Sequence, residues 1–232
     1  MAIRVSEWLL RRVLVGPSLR LFLRLRVEGA EHVPATGPVI IASNHLSFID
    51  SMVIPLAAGR KVGFLGKAEY VRGRGLSGWA RRLWFAEFGG MIPVDREDAR
   101  AAALSLQVAE EHLAAGGAFG IYPEGTRSRD GRLHKGRTGV GRLALASAAP
   151  VIPCALIGTD KAQAAGRRGI RPHRVTVRFA PPVDVAALER QFSKGRLLRA
   201  ITDEVMDSVA RRSGQERSAE FAVRPGADAP LG

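Results

Sequence analysis

Short apolar runs alternate along this chain with longer stretches of helical character, and no other feature restricts its fold so tightly. Residues 39–42, 61–66, 91–94, 118–122, 151–157 and 174–179 read as strands, the last with period-2 alternation. Residues 49–58, 76–88, 97–115, 138–148 and 186–212 read as helices. The 97–115 stretch is rich in Ala, Leu and Glu, and Gly116-Gly117 stops it. Pro55 is expected to shorten the 49–58 helix. Continuous apolar strands between helices indicate an α/β domain with a largely parallel central sheet flanked by helices. The 232 residues suffice for one sizeable core and hardly for two. That domain is expected over 27–212. Residues 213–232, rich in Gly, Ala, Pro and charge, are expected to be a flexible tail.

Residues 1–26 stand apart. They read as helix over 3–26 with a break at Gly16-Pro17, carrying Arg4, Arg11, Arg12, Arg20, Arg24 and Arg26 against a single Glu. Trp8, Phe22 and several Leu supply the apolar side. A basic amphipathic segment of this kind suits the plane of a membrane interface, where each Arg near an anionic leaflet adds roughly 1 kcal/mol. No apolar run reaches the roughly 20 residues needed to span a bilayer.

Thirty-five Lys and Arg against 22 Asp and Glu give a net charge of +13. That balance points to phosphorylated substrates, an anionic membrane or nucleic acid. No nucleic-acid motif or aromatic-studded basic strand accompanies it, so no nucleic-acid partner is expected. The lone Cys154 excludes an intrachain disulfide and a cysteine zinc site, and suits a reducing compartment. The five His are dispersed, so no metal is expected.

Two clusters carry chemistry. The first, Asn44-His45-Leu46-Ser47-Phe48-Ile49-Asp50, follows the 39–42 strand, and ligands of parallel sheets gather at the carboxyl ends of strands. With His45 in the turn and Asp50 in the first helical turn, the two side chains can meet, and Ser47 is a plausible N-cap. A carboxylate on one imidazole nitrogen leaves the other free to take a proton from a hydroxyl. The second cluster, Tyr122-Pro123-Glu124-Gly125-Thr126-Arg127-Ser128, follows the 118–122 strand. Gly125 permits close backbone approach, and Arg127 offers a fork for phosphate. Gly73-Arg74-Gly75-Leu76-Ser77-Gly78 matches a dinucleotide fingerprint, but the preceding residues 67–72 are too polar for the buried strand it requires. The G-x-S-x-G of a serine hydrolase is absent.

The pair His45…Asp50 at H-x4-D, with Glu124-Gly125-Thr126-Arg127 about 80 residues later, resembles the glycerolipid acyltransferase family, whose best-known members are the 1-acyl-sn-glycerol-3-phosphate acyltransferases. Gly90-Met91-Ile92-Pro93-Val94-Asp95-Arg96, Val151-Ile152-Pro153 and Lys67-Ala68-Glu69-Tyr70 are similar to further family segments, and the resemblance covers roughly residues 27–180. It implies that His45 deprotonates the acceptor hydroxyl and that Asp50 orients His45. Arg96 and Arg127 would hold the acceptor phosphate. Glu124, Gly125 and Thr126 would shape that pocket, with help from Lys67. The donor would be acyl-CoA or an acyl-carrier protein, with no cofactor and no metal. The acceptor would be lysophosphatidic acid and the product phosphatidic acid, a step of phospholipid biosynthesis. Backbone N–H groups at 44–46 or at Gly125 are candidates for the oxyanion site. Other acceptors (glycerol-3-phosphate, another lysophospholipid or lyso-ornithine lipid) and a non-catalytic membrane adaptor of the same fold are the competing readings.

The expected location is the cytoplasmic face of a membrane, as a peripheral or monotopic protein. Removal of residues 1–26 is expected to lower binding to anionic liposomes in a sedimentation assay; unchanged binding would return the segment to packing on its own domain.

Overall fold

A computed structural model describes residues 16–67, 91–94, 101–164, 167 and 169–223. Its elements are α1 (Gly16–Phe22), β1 (Arg26–Glu28), β2 (Val39–Ser43), α2 (Asp50–Ala58), β3 (Val62–Lys67), β4 (Met91–Val94), α3 (Ala101–Ala114), β5 (Ala118–Ile121), α4 (Gly139–Ser147), β6 (Val151–Ile157), α5 (Thr159–Ala162), β7 (Thr176–Phe179), α6 (Val185–Gln191) and α7 (Lys194–Ser213). The seven strands form one sheet in the order β1-β7-β6-β2-β5-β3-β4. All neighbours are parallel except β6 and β7, so β1 and β7 run against the other five.

The central strand explains the arrangement. All five residues of β2 are buried. Val39 and Ile41 face a core with Ile49, Met52 and Val53 of the α2 segment. Ile40 and Ala42 face the other way, into Leu113 of α3, Leu143 of α4 and Ile201 of α7. A strand covered on both faces must be apolar at every position, which is why 39–42 reads as a continuous run. The parallel strands β2, β5 and β6 lie side by side, so the segments following them share one edge of the sheet.

Several expectations shift. The helix expected over 3–26 is seen only as α1, which ends at Phe22; Arg24 turns left-handed (φ 42°) and the chain enters β1 at Arg26. Leu23 is fully buried, so the domain begins before residue 27. Leu21 is 81% exposed, and Arg20 donates from Nη2 to Leu56 O at 2.7 Å. Residues 1–15 lie outside the described residues, as do the expected 76–88 helix and the 73–78 glycine segment. Pro55 sits within α2 without shortening it. The 186–212 helix is two, broken at Phe192-Ser193. Among the described residues no helix is long and apolar enough to cross a membrane.

The expected tail is the largest correction. Gly214, at φ 72°, ends α7, and residues 215–220 run back along 133–135. Leu133 N donates to Glu216 O and Ser218 N to Leu133 O, both at 2.9 Å. Lys135 N donates to Glu220 O, also at 2.9 Å. Ala222 is buried. Backbone hydrogen bonding gives this polar stretch an ordered place that its composition does not reveal. Residues 224–232 lie outside the described residues.

The helix α7 that leads into this segment rests on α4 at Gly141, where a Cβ would stand 2.5 Å from Leu198 O. Ala gains up to about 1 kcal/mol of helix propensity over Gly, while forcing backbone apart in a packed core costs about 1–3 kcal/mol. Gly141→Ala is therefore expected to destabilise by about 1–2 kcal/mol, read as a fall in Tm of several degrees.

Candidate active site

His45 lies in the turn after β2, and Asp50 is the first residue of α2, as the spacing predicts. His45 Nδ1 is 2.8 Å from Asp50 Oδ2. The same oxygen accepts from Leu46 N at 2.7 Å and Ser47 N at 2.8 Å. An oxygen already accepting two N–H groups has no proton to give, so the hydrogen of the third bond belongs to Nδ1. The lone pair of the imidazole then sits on Nε2. Asp50 is fully buried, and its Oδ1 has no partner among the described residues. The side chain of His45 is 17% exposed, enough for one ring edge to meet a reactant.

Ser47 is not the N-cap. That place belongs to Ile49, and Ser47 Oγ donates instead to Gln163 O at 2.8 Å, tying the catalytic turn to the segment after β6. Asn44 makes a second tie, donating from Nδ2 to Leu156 O at 2.9 Å and accepting from Leu156 N at 2.8 Å. Neither role could be read from spacing.

Tyr122, at the end of β5, stacks on the His45 ring with centroids 3.8 Å apart and planes at 10°. Its hydroxyl pairs with Ser51 Oγ at 2.8 Å, and Phe64 stacks behind it at 5.4 Å. Burial, then the charge of Asp50, push the Tyr122 phenol well above its ordinary range, so it stays an O–H. The imidazole is thus fixed by a carboxylate on one edge and a ring on one face. The sequence places Tyr122 at the head of the second cluster but gives no sign that its ring stacks on His45.

Glu124 is turned toward the backbone on either side of it. It is fully buried, and its two oxygens accept from His45 N and His134 N, each at 3.0 Å. Ser128 N returns a bond to His45 O at 2.8 Å, so both backbone groups of His45 are tied to the 124–134 loop. Gly125 takes φ 78° in the turn closed by its own N–H on Tyr122 O. Thr126 and Arg127 follow, half-buried, and among the described residues neither has a hydrogen-bond or ion-pair partner. A guanidinium without a counter-ion among the described residues, one residue before the Ser128 N–H that bonds His45 O, is suited to an anionic ligand. The N–H groups of His45, Leu46 and Gly125, candidates for the oxyanion site, donate to Glu124 Oε1, Asp50 Oδ2 and Tyr122 O. Lys67 ends β3 at the same edge of the sheet; its side chain, like the whole of Arg96, lies outside the described residues.

Burial outweighs the two N–H bonds and raises the Glu124 carboxyl from an ordinary 4.5 to about 7. A carboxyl raised in the folded state favours folding below its ordinary pKa, and that contribution is lost as pH climbs to about 7. The shift is worth up to about 3 kcal/mol. Relative to Glu124→Gln, the wild type is therefore expected to lose about 1–3 kcal/mol between pH 4.5 and pH 8 in urea unfolding. A constant difference between the two proteins would contradict it.

Comparison with known proteins identifies the family. The acyltransferase family model matches residues 24–157, more than half of the chain. A chloroplastic 1-acyl-sn-glycerol-3-phosphate acyltransferase of Arabidopsis thaliana is 33% identical over 153 residues, covering 66% of this chain and 41% of its own length. The alpha 1-acyl-sn-glycerol-3-phosphate acyltransferase of Mus musculus is 30% identical over 182 residues, covering 78% of this chain and 62% of its own. The chain thus spans less than two thirds of either relative. The crystal structure of PlsC, a 1-acyl-sn-glycerophosphate acyltransferase from Thermotoga maritima, superposes with a TM-score of 0.61 at 24% identity, over 84% of this chain and 76% of that one. The matched residues hold both the His45–Asp50 pair and the Glu124–Arg127 turn, and the chain belongs to the acyltransferase family.

Proposed function

We propose that the protein transfers a fatty acyl group from an acyl-CoA or acyl-carrier-protein thioester to the free hydroxyl of 1-acyl-sn-glycerol-3-phosphate, giving phosphatidic acid. The observation that carries this reading is a histidine with its Nε2 lone pair free, held by a buried carboxylate, with Arg127 unpaired among the described residues in the loop whose Ser128 N–H bonds His45 O. The names of the relatives support the choice of acceptor.

In this reading Arg127 holds the acceptor phosphate, which fixes the distance from phosphate to hydroxyl. His45 Nε2 takes the hydroxyl proton as the oxygen attacks the thioester carbonyl. The tetrahedral intermediate collapses, the C–S bond breaks, and the thiolate leaves and takes the proton back from His45. The products are an ester and a free thiol, with no covalent acyl-enzyme. Asp50 stabilises the imidazolium that exists between the two transfers. Aligning the hydroxyl against the carbonyl can contribute up to about 7–11 kcal/mol, and the proton transfer a further ~10² to 10⁴ in rate. Lys67 and Arg96 are proposed to join Arg127 on the phosphate. Glu124 is assigned to the backbone of His45, and Gly125 and Thr126 shape the turn that presents Arg127. Association with an anionic membrane surface, at its cytoplasmic face, is proposed from the exposed Leu21 and the half-exposed Phe22 beside the arginines of the N-terminal segment.

The test is acyl transfer by purified protein in detergent or liposomes. Palmitoyl-CoA, oleoyl-CoA and acyl-carrier-protein donors would be paired with lysophosphatidic acid, glycerol-3-phosphate, other lysophospholipids and lyso-ornithine lipid. Turnover with lysophosphatidic acid is expected, lowered at least ~10²-fold by His45→Ala. Arg127→Ala is expected to raise the acceptor KM by about tenfold or more with little change for the donor. Equal losses on both substrates would remove the phosphate role, and turnover on a different acceptor would replace the substrate.

A further inference from the structure

The segment after α7 lies beyond the residues matched by the family model, yet it reaches the catalytic turn. Gln215 is the contact. Its Oε1 accepts from Asn44 Nδ2 at 2.7 Å, and Asn44 immediately precedes His45. Its Nε2 donates to Gly131 O at 2.8 Å, in the loop that carries Glu124 and Arg127. One amide therefore joins the loop after β2 to the loop after β5.

A second route runs through the backbone. Along 133–135 successive N–H groups point to opposite sides, as in any extended segment. Those of Leu133 and Lys135 go to Glu216 O and Glu220 O; that of His134 goes to Glu124 Oε2. Glu124 then spends its other oxygen on His45 N. The segment 215–220 thus holds the strip that holds Glu124, which holds His45. Phe221 closes the arrangement, with Lys135 Nζ 5.3 Å and Arg137 Cζ 5.1 Å from its ring centre. Leu133 is fully buried against Ala155, Met206 and Val209, so the strip cannot slide on its own.

We propose that residues 215–220 are a positioning element of the active site, and that Gln215 sets His45 relative to the Glu124–Arg127 turn. Gln215 touches no reactant; it acts through Asn44 and Gly131. A group that only fixes geometry should affect kcat and leave substrate affinity alone, because small displacements of a catalytic base cost up to ~10²-fold in rate. The kinetic part of the test rests on the acyl-transfer reading, so a measurement without substrate accompanies it.

In the full-length chain, Gln215→Ala is expected to lower kcat by about 10- to 100-fold. KM for palmitoyl-CoA and for lysophosphatidic acid should each change by less than about threefold, with a cooperative thermal melt retained. Gln215→Glu keeps the acceptor for Asn44 and loses the donor for Gly131, and should recover part of kcat. Because Gln215 and Glu124 act on the same backbone, the double variant with Glu124→Gln should lose less than the product of the single losses. Hydrogen exchange of the substrate-free protein should quicken at 44–47 and 131–135 in Gln215→Ala, with α2 and α7 as protected as before. Full kcat, multiplicative losses, or a loss that merely tracks unfolding would each overturn the proposal. Should the wild type turn over none of the acceptors, the acyl-transfer reading fails by itself. Exchange then decides, and unchanged protection at 44–47 and 131–135 overturns the positioning role.

Discussion

A single carboxylate oxygen organises this active site. Asp50 Oδ2 accepts from the His45 ring and from the backbone of Leu46 and Ser47. The residue that orients the His45 ring, the proposed base, therefore also folds the turn that carries it. Removing a buried acceptor of this kind would leave its donors unpaired, at about 1–3 kcal/mol each. The rest of the architecture serves to keep that oxygen dry and in register. β2 is apolar along its whole length because it is covered on both faces, and its carboxyl end delivers His45 between the loops that follow β5 and β6. Ser47 and Asn44 tie the turn to the β6 side, while Glu124 and Ser128 tie it to the β5 side.

The contrast between the two acidic residues is instructive. Asp50 faces the imidazole and works through a side chain. Glu124, from the motif that accompanies it, faces two backbone N–H groups and works through the main chain. Both are fully buried. The proposed contact with an anionic ligand falls to Arg127, three residues further on, after Gly125 has turned the chain.

The sequence makes the sheet and the catalytic pair legible for the same reason. Strands buried on both faces are continuous apolar runs, and β4 and β6 have the bounds expected for them. The H-x4-D spacing makes sense only when a turn separates the two residues, and the strand before His45 supplies it. What stays hidden depends on direction. A glutamate in a motif gives no sign of whether it points at ligand or at backbone, so Glu124 reads as part of a phosphate pocket. Ser47 precedes a helix and has the chemistry of an N-cap, but Gln163 claims its hydroxyl. β1 has three residues and no apolar run, and borrows its order from β7. Residues 214–223 have the composition of a tail, and only main-chain bonds to 133–135 reveal them as part of the fold.

The hydrogen bonds made by the backbone of His45, Leu46 and Ser47 have a kinetic consequence for the proposed transfer. His45, Asp50 and the stacked ring of Tyr122 are held against one another by this chain's own contacts. In that proposed reaction the His45–Asp50 pair imposes no compulsory order of addition, so an ordering of donor and acceptor would originate in the substrates' access routes and not in the chemistry.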